Sequence, residues 1–305
     1  MKILAKHISQ MKRLTKRGFT LIEILVATGI MVILIGMVIQ ITADVLDVWN
    51  EASGKLSANA EARIAMDLIT SDLETAILRK NGQQWLRVEG SASVNGGPYD
   101  SNTVALKLFA PALDRPTVND AGEAASGNIC AIAYRLEYKE AYADADIDVY
   151  ALYRAIEDPK TTFDDLFGSL SDNQSPQLTL TQGFWDDDSI TEEENFLASN
   201  VVDFKVFIYE ETGEPNPTPV NANQTTLELT GDDYAFGGIN GSTRNLLYAD
   251  VIMTILSDEG MEILNNIEDG LATGYTGSKA EAAEQVVKEK GQTFSRRIYF
   301  LGNPI

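Results

Sequence analysis

The carboxylate at Glu23 is the residue whose placement most demands a chemical explanation. The stretch Lys16-Arg17-Gly18-Phe19-Thr20-Leu21-Ile22-Glu23 runs into Ile24 to Ala43, which carries no charge before Asp44. A carboxylate inside an apolar run is costly unless it is paired or held at headgroup depth. Other reactive constellations are scarce. The single histidine, His7, lies ahead of the apolar run, so the remaining chain can build neither a Ser-His-Asp triad nor a His-ligated zinc site. Acid pairs suited to a glycosidase are numerous, but no spacing singles one out. No glycine-rich phosphate loop follows a strand pattern. Asp186, Asp187 and Asp188, with Glu192, Glu193 and Glu194, could offer calcium its oxygen ligands, so calcium is the one cofactor the sequence suggests. The run lacks the alternation and loop glycine of an EF-hand, and a solvated acidic loop is the competing reading. Sequon triplets at Asn173, Asn223 and Asn240 are of a kind common by chance and are assigned no role.

These residues must be positioned by the elements around them. Ile24 to Ala43 is a run of 20 residues, which as a helix spans about 30 Å, the thickness of a bilayer core. Residues 1–18 hold Lys2, Lys6, Lys12, Arg13, Lys16 and Arg17 and no acid. That asymmetry keeps the N-terminus cytoplasmic and sends the rest across the membrane. An ordinary secretory signal would place a small-residue cleavage site after the apolar region, whereas here the pattern continues into a long helix. A plain signal anchor is the alternative.

From Phe19 to Lys80 there is no proline, so one helix is expected over 19–80, roughly 90 Å long. Its second half sets Met66, Ile69, Leu73 and Ile77 at helical spacing, with Arg63, Asp67, Ser71 and Glu74 between them. Arg79 and Lys80 suit the helix C-terminus, and Asn81-Gly82 gives a C-cap signal. Alternating strands are expected at Thr103–Phe109, Ile129–Leu136, Asp148–Arg154, Val201–Tyr209, Tyr248–Leu256 and Thr293–Leu301. Turn-rich acidic stretches separate them at 90–102, 110–128, 157–200, 210–247 and 257–292, the last with a helix at Ser278–Glu289. One long helix followed by antiparallel strands specifies an α+β fold with the sheet wrapped on the helix.

The chain has 305 residues and a formal charge of −21, and loss of the six N-terminal cations leaves about −27. That balance favours solubility and argues against nucleic-acid binding or docking on anionic lipid. Cys130 is the only cysteine, so no internal disulfide can form and a buried thiol is expected.

The composite signal from Lys16 to Glu23 resembles the class III signal of type IV prepilins and pseudopilins. The resemblance implies that a membrane-embedded prepilin peptidase cuts between Gly18 and Phe19 and methylates the new Phe19 amine. It divides the chain into a leader, 1–18, a long N-terminal helix, 19–80, with its membrane span at about 24–43, and an extracytoplasmic globular domain, 81–305. It also gives Glu23 a role: pairing with the Phe19 ammonium of a neighbouring subunit to set axial register. The helix Ala58 to Ala76 looks like the post-membrane helix of J-type minor pseudopilins of type II secretion. The segments Ala133-Tyr134-Arg135-Leu136 and Tyr150-Ala151-Leu152-Tyr153-Arg154 resemble that family's hairpin, and Leu197 to Tyr209, Ala249 to Ser257 and Phe294 to Ile298 continue the order. The chain is longer than that pattern, with acidic insertions at 157–195 and 211–245, and it is also similar to the Verru_Chthon cassette protein C group.

What the resemblance implies is a non-enzymatic minor pseudopilin at or near the tip of a type II secretion pseudopilus. Its partners would be other major and minor pseudopilins, the prepilin peptidase and an inner-membrane assembly platform. It would sit as a single pass in the inner membrane with its C-terminal domain periplasmic. The alternative class is a minor type IV pilin whose insertions serve binding or adhesion. An enzyme on a pilin stalk has no supporting residues.

Overall fold

The structure is a computed structural model. It describes residues 19–301 except 91–93, 95, 100–102, 113, 115–126, 141–147, 168–182, 213–218, 221–233, 239–241, 271–273 and 276. Two units are distinguished, one up to Asn50 and one from Glu51 onward.

Helix α1 runs Leu21–Glu74. Strands β1 (Gln84–Gly90), β2 (Val104–Ala110), β3 (Cys130–Glu140) and β4 (Asp148–Glu157) follow, then the short helices α2 (Pro159–Thr161) and α3 (Asp187–Ile190). Strands β5 (Phe196–Ser199), β6 (Val201–Glu210), β7 (Tyr234–Gly237) and β8 (Leu246–Ile255) come next, before helices α4 (Asp258–Glu268) and α5 (Lys279–Lys290) and strand β9 (Gln292–Tyr299). The strands form a six-stranded sheet, β5-β4-β3-β2-β1-β7, and a three-stranded sheet, β6-β8-β9. Neighbouring strands are antiparallel throughout, as the α+β pattern requires.

The helix ends six residues before Lys80. After Glu74 the chain turns, and the Ile77 N–H donates to the Phe109 carbonyl (2.8 Å) at the end of β2. A sheet partner thus takes the backbone group that another helical turn would have used. Asn81-Gly82 is a turn into β1 rather than a helix cap: Gly82 has φ +84°, and the Asn81 carboxamide oxygen accepts from Trp85 Nε1 (2.7 Å). The Arg79 guanidinium lies 5.5 Å from the Trp85 ring centroid.

On α1 the expected Met66, Ile69 and Leu73 are buried, joined by Ala58, Ala62 and Ala65, while Ile77, beyond the end of the helix, is half-buried. These side chains belong to the same buried core as the strands, and the apolar area removed from water stabilises at roughly 25 cal/mol per Å². A polar tie joins this helix to the hairpin of β3 and β4. Asp72, almost fully buried, accepts from Arg154 Nε (2.9 Å), Arg154 Nη2 (3.1 Å) and the Tyr134 hydroxyl. Arg154 also reaches the half-exposed Asp114 (2.6 Å). Burial and the adjacent Asp72 charge push the Tyr134 hydroxyl well above its usual range, so it stays protonated and donates. A buried guanidinium is tolerated because both carboxylates occupy its fork.

Three strands, β1, β5 and β7, and three helices, the short α2 and α3 and the longer α4, were not foreseen. β1 and β7 lie in stretches without clean alternation, and β7 has only four residues. Helix α4 occupies part of 257–292, read as turn-rich; Ser257 caps it by accepting from the Gly260 N–H (3.3 Å), and Met261, Leu264 and Ile267 are buried. Helix α5 stands where expected, closed by a capping box between Ser278 and Glu281. The expected single sheet is two. The chain passes between them at Asn200, the non-glycine residue with positive φ (58°) among those described. Asn200 is held there by its carbonyl, which accepts from the Leu256 N–H (2.9 Å), and by its side chain, which donates to Asp258 (2.9 Å).

The insertion at 157–195 is only partly a solvated loop. Residues 168–182 lie outside those described, but the Gly183–Ile190 segment covers the six-stranded sheet. Trp185 is buried edge-to-face against Phe109 (5.5 Å between centroids), and its carbonyl accepts from the fully buried Lys107 ammonium (2.9 Å). Lys107 also pairs with Glu89 (3.2 Å). All seven residues of β2 are therefore buried, on both faces of the strand.

Candidate assembly site at the start of the long helix

Phe19 is 83% exposed, and every residue from 19 to 50 is exposed. Gly18, the residue before the expected cut, lies outside the described residues. The first turn of α1 explains how Glu23 is held. Thr20 stands at the N-cap, and the Glu23 carboxylate accepts from the Thr20 N–H (2.9 Å) and the Thr20 hydroxyl (3.0 Å). In return the Glu23 N–H donates to Thr20 Oγ1 (3.3 Å). This is a capping box, two orphan donors of the helix start satisfied reciprocally. Its signature, Thr-x-x-Glu ahead of an apolar run, was present in the sequence and was missed.

Farther along, the two threonine hydroxyls inside the apolar run turn back onto the helix. The Thr28 hydroxyl donates to the Leu25 carbonyl (2.9 Å) and the Thr42 hydroxyl to the Val38 carbonyl (2.8 Å). Neither hydroxyl is left unsatisfied, which hydrocarbon surroundings demand. By length and composition α1 can cross a membrane, and none of its apolar window is buried. Exposure of large apolar side chains persists past Asp44, at Trp49 (69%), and within the second unit at Leu56 (72%) and Ile64 (59%).

Among the described residues no group of three or more His, Cys, Asp or Glu is placed to hold an ion, and the Asp187 side chain lies outside those described. Asp186 instead accepts from the Ser189 N–H (2.8 Å) and caps α3, and that hydrogen bond holds its carboxyl below the usual range. Asp187 opens α3 and Asp188 is exposed. Cys130 is buried in β3 and in no disulfide among the described residues.

A family model described as the prokaryotic N-terminal methylation motif matches residues 13–39. No curated protein and no solved structure matches the chain. The matched residues take in the end of the basic segment from Arg13, Gly18-Phe19, the capping box and much of the exposed apolar helix. This motif marks proteins that are in general structural rather than enzymatic, and with the exposed helix it indicates membrane anchoring. Over its N-terminal segment the chain is thus similar to type IV pilin- and pseudopilin-like proteins, and an α+β unit follows in the sequence.

Proposed function

We propose that the chain is a minor pseudopilin, a non-enzymatic subunit at or near the tip of a type II secretion pseudopilus. The observation that carries the reading is a methylation motif leading into a membrane-length helix none of whose apolar window is buried. Before assembly that surface lies in the inner membrane, with the N-terminus cytoplasmic; in the filament it packs on neighbouring helices. Leu56 and Ile64 extend it beyond the span at 24–43, so cover there comes from protein rather than lipid. The prepilin peptidase cuts between Gly18 and Phe19 and methylates Phe19. Glu23 then exchanges its contact with Thr20 for the ammonium of a neighbour's Phe19.

Mass spectrometry of the mature N-terminus tests processing: a chain beginning at methylated Phe19 is expected, and one beginning at Met1 overturns the reading. Quantitative proteomics of isolated assemblies tests the tip position. Abundance equal to that of the major subunit would exclude it. Co-recovery with retraction machinery would favour a minor type IV pilin instead.

A further inference from the structure

The two sheets have four outer edges, and three of them are blunted. β5 is four residues long, and its Ser199 N–H is taken by Glu61 Oε2 (3.1 Å). β7 is also four residues, with Ser242 bonded to Ala235 and Gly237 (2.8 Å each). On β6 the Ile208 carbonyl accepts from the Val220 N–H (2.8 Å). β9 differs. It has eight residues, pairs with β8 without a register shift, and holds no proline. Six of its eight residues are exposed, and they include side chains on both faces of the strand. Among the described residues no strand lies on its outer side. A long, regular, uncovered edge is a template for strand addition, which proteins otherwise suppress.

The chemistry of the edge selects what can add to it. β9 reads Gln-Thr-Phe-Ser-Arg-Arg-Ile-Tyr, two cations and no acid in a chain of net charge −21. Arg296 bonds Asp67 (2.6 Å) and Arg297 bonds Asp250 (2.7 Å), yet both remain partly exposed. A guanidinium has five donors, so each can take a second carboxylate. The strand ends in exposed apolar groups, Tyr299 (59%) and Leu301 (79%). A second copy of this acidic chain is a poor partner, since it would bring another basic edge and a large like charge.

We propose that the outer edge of β9 pairs with an extended, carboxylate-bearing segment of a different pilin-like subunit, continuing the three-stranded sheet. The inference rests on the filament reading above. Its test is residue-resolved hydrogen exchange on the full chain, compared between the detergent-extracted subunit and the isolated assembly. Pairing slows every second amide along 292–299 by about tenfold or more, because alternate N–H groups face outward in a strand. Ser295→Asp lowers co-recovery with the assembly by roughly fivefold, while Ser295→Lys leaves it near wild type. A chain recovered in assemblies with unchanged β9 exchange, or slowed uniformly without alternation, overturns the pairing and leaves the filament reading intact. Equal losses in the two Ser295 variants overturn the choice of a carboxylate-bearing partner. Failure to recover the chain in any assembly overturns the pairing and the filament reading together.

Discussion

Two carboxylates on α1 are treated in opposite ways. Asp72 is buried and receives a guanidinium and a phenol from β4 and β3 of its own chain. Glu23 sits on a fully exposed stretch, and its recorded partner is Thr20 in its own first turn. A buried charge must find its counter-ion within the fold, because an uncompensated one costs several kcal/mol. An exposed carboxylate on an apolar helix can wait with a local hydrogen bond. The difference separates a residue that completes this fold from one available to something outside it.

The comparison breaks most visibly at Asp72. Asp72→Ala leaves the buried Arg154 with the half-exposed Asp114 as its remaining carboxylate beside the neutral Tyr134 hydroxyl, and should destabilise the globular unit by about 3–5 kcal/mol. Denaturant unfolding of the detergent-solubilised chain measures this, with Glu23→Ala as the control that should leave the transition in place. An unshifted transition in the Asp72 variant would mean that Asp114 alone satisfies the guanidinium.

Leu56→Asp should have the inverse profile. The position is exposed, so unfolding should shift by no more than about 0.5 kcal/mol. Recovery in assemblies should fall roughly tenfold, equivalent to about 1.4 kcal/mol of lost association. Normal recovery would show that this face stays in solvent.

Glu23→Ala should preserve processing and insertion but impair co-assembly. Thr20→Ala sharpens the cause, because it removes the cap, worth about 1 kcal/mol, and keeps the carboxylate. If both variants impair co-assembly equally, the role of Glu23 is to start the helix rather than to bind a neighbour's amine.

The smallest effect concerns acid. Burial alone would raise the Asp114 carboxyl, but the hydrogen bond and charge of Arg154 outweigh it and lower the group from its ordinary 3.8. A depressed carboxylate stabilises the fold above that ordinary value, and the contribution is lost as pH falls through the lower folded value. Asp114→Asn should therefore melt slightly lower at neutral pH and show a flatter acid limb below about pH 4. Parallel acid limbs in the two proteins would mean that Asp114 contributes nothing to the tie.

Where local pattern and tertiary outcome agree, the sequence was legible. Met66, Ile69 and Leu73 declared the covered face of α1, and β3 and β4 pair over ten residues in the hairpin their alternation announced. The helix expected at Ser278–Glu289 is α5, one residue displaced. Elsewhere the signal was absent or overridden. β1 and β7 owe their extended form to neighbouring strands rather than to periodicity. Trp185 lies in an acidic stretch that composition alone reads as solvated, yet it fills a place beside Phe109 that only the folded sheet creates. Composition averages over a loop, whereas packing acts on one side chain.

By itself the sequence determined the membrane-length helix, the basic segment ahead of it, the α+β class and the absence of disulfides, because charge, length and residue type need no partner to be read. The tertiary structure decided where α1 stops, that the strands divide into two sheets at Asn200, that Asp72, Tyr134 and Arg154 meet, and that among the described residues no strand covers the outer edge of β9. Those features depend on contacts between residues distant along the chain. Local propensity cannot encode which of many compatible partners will be adjacent once the core has formed.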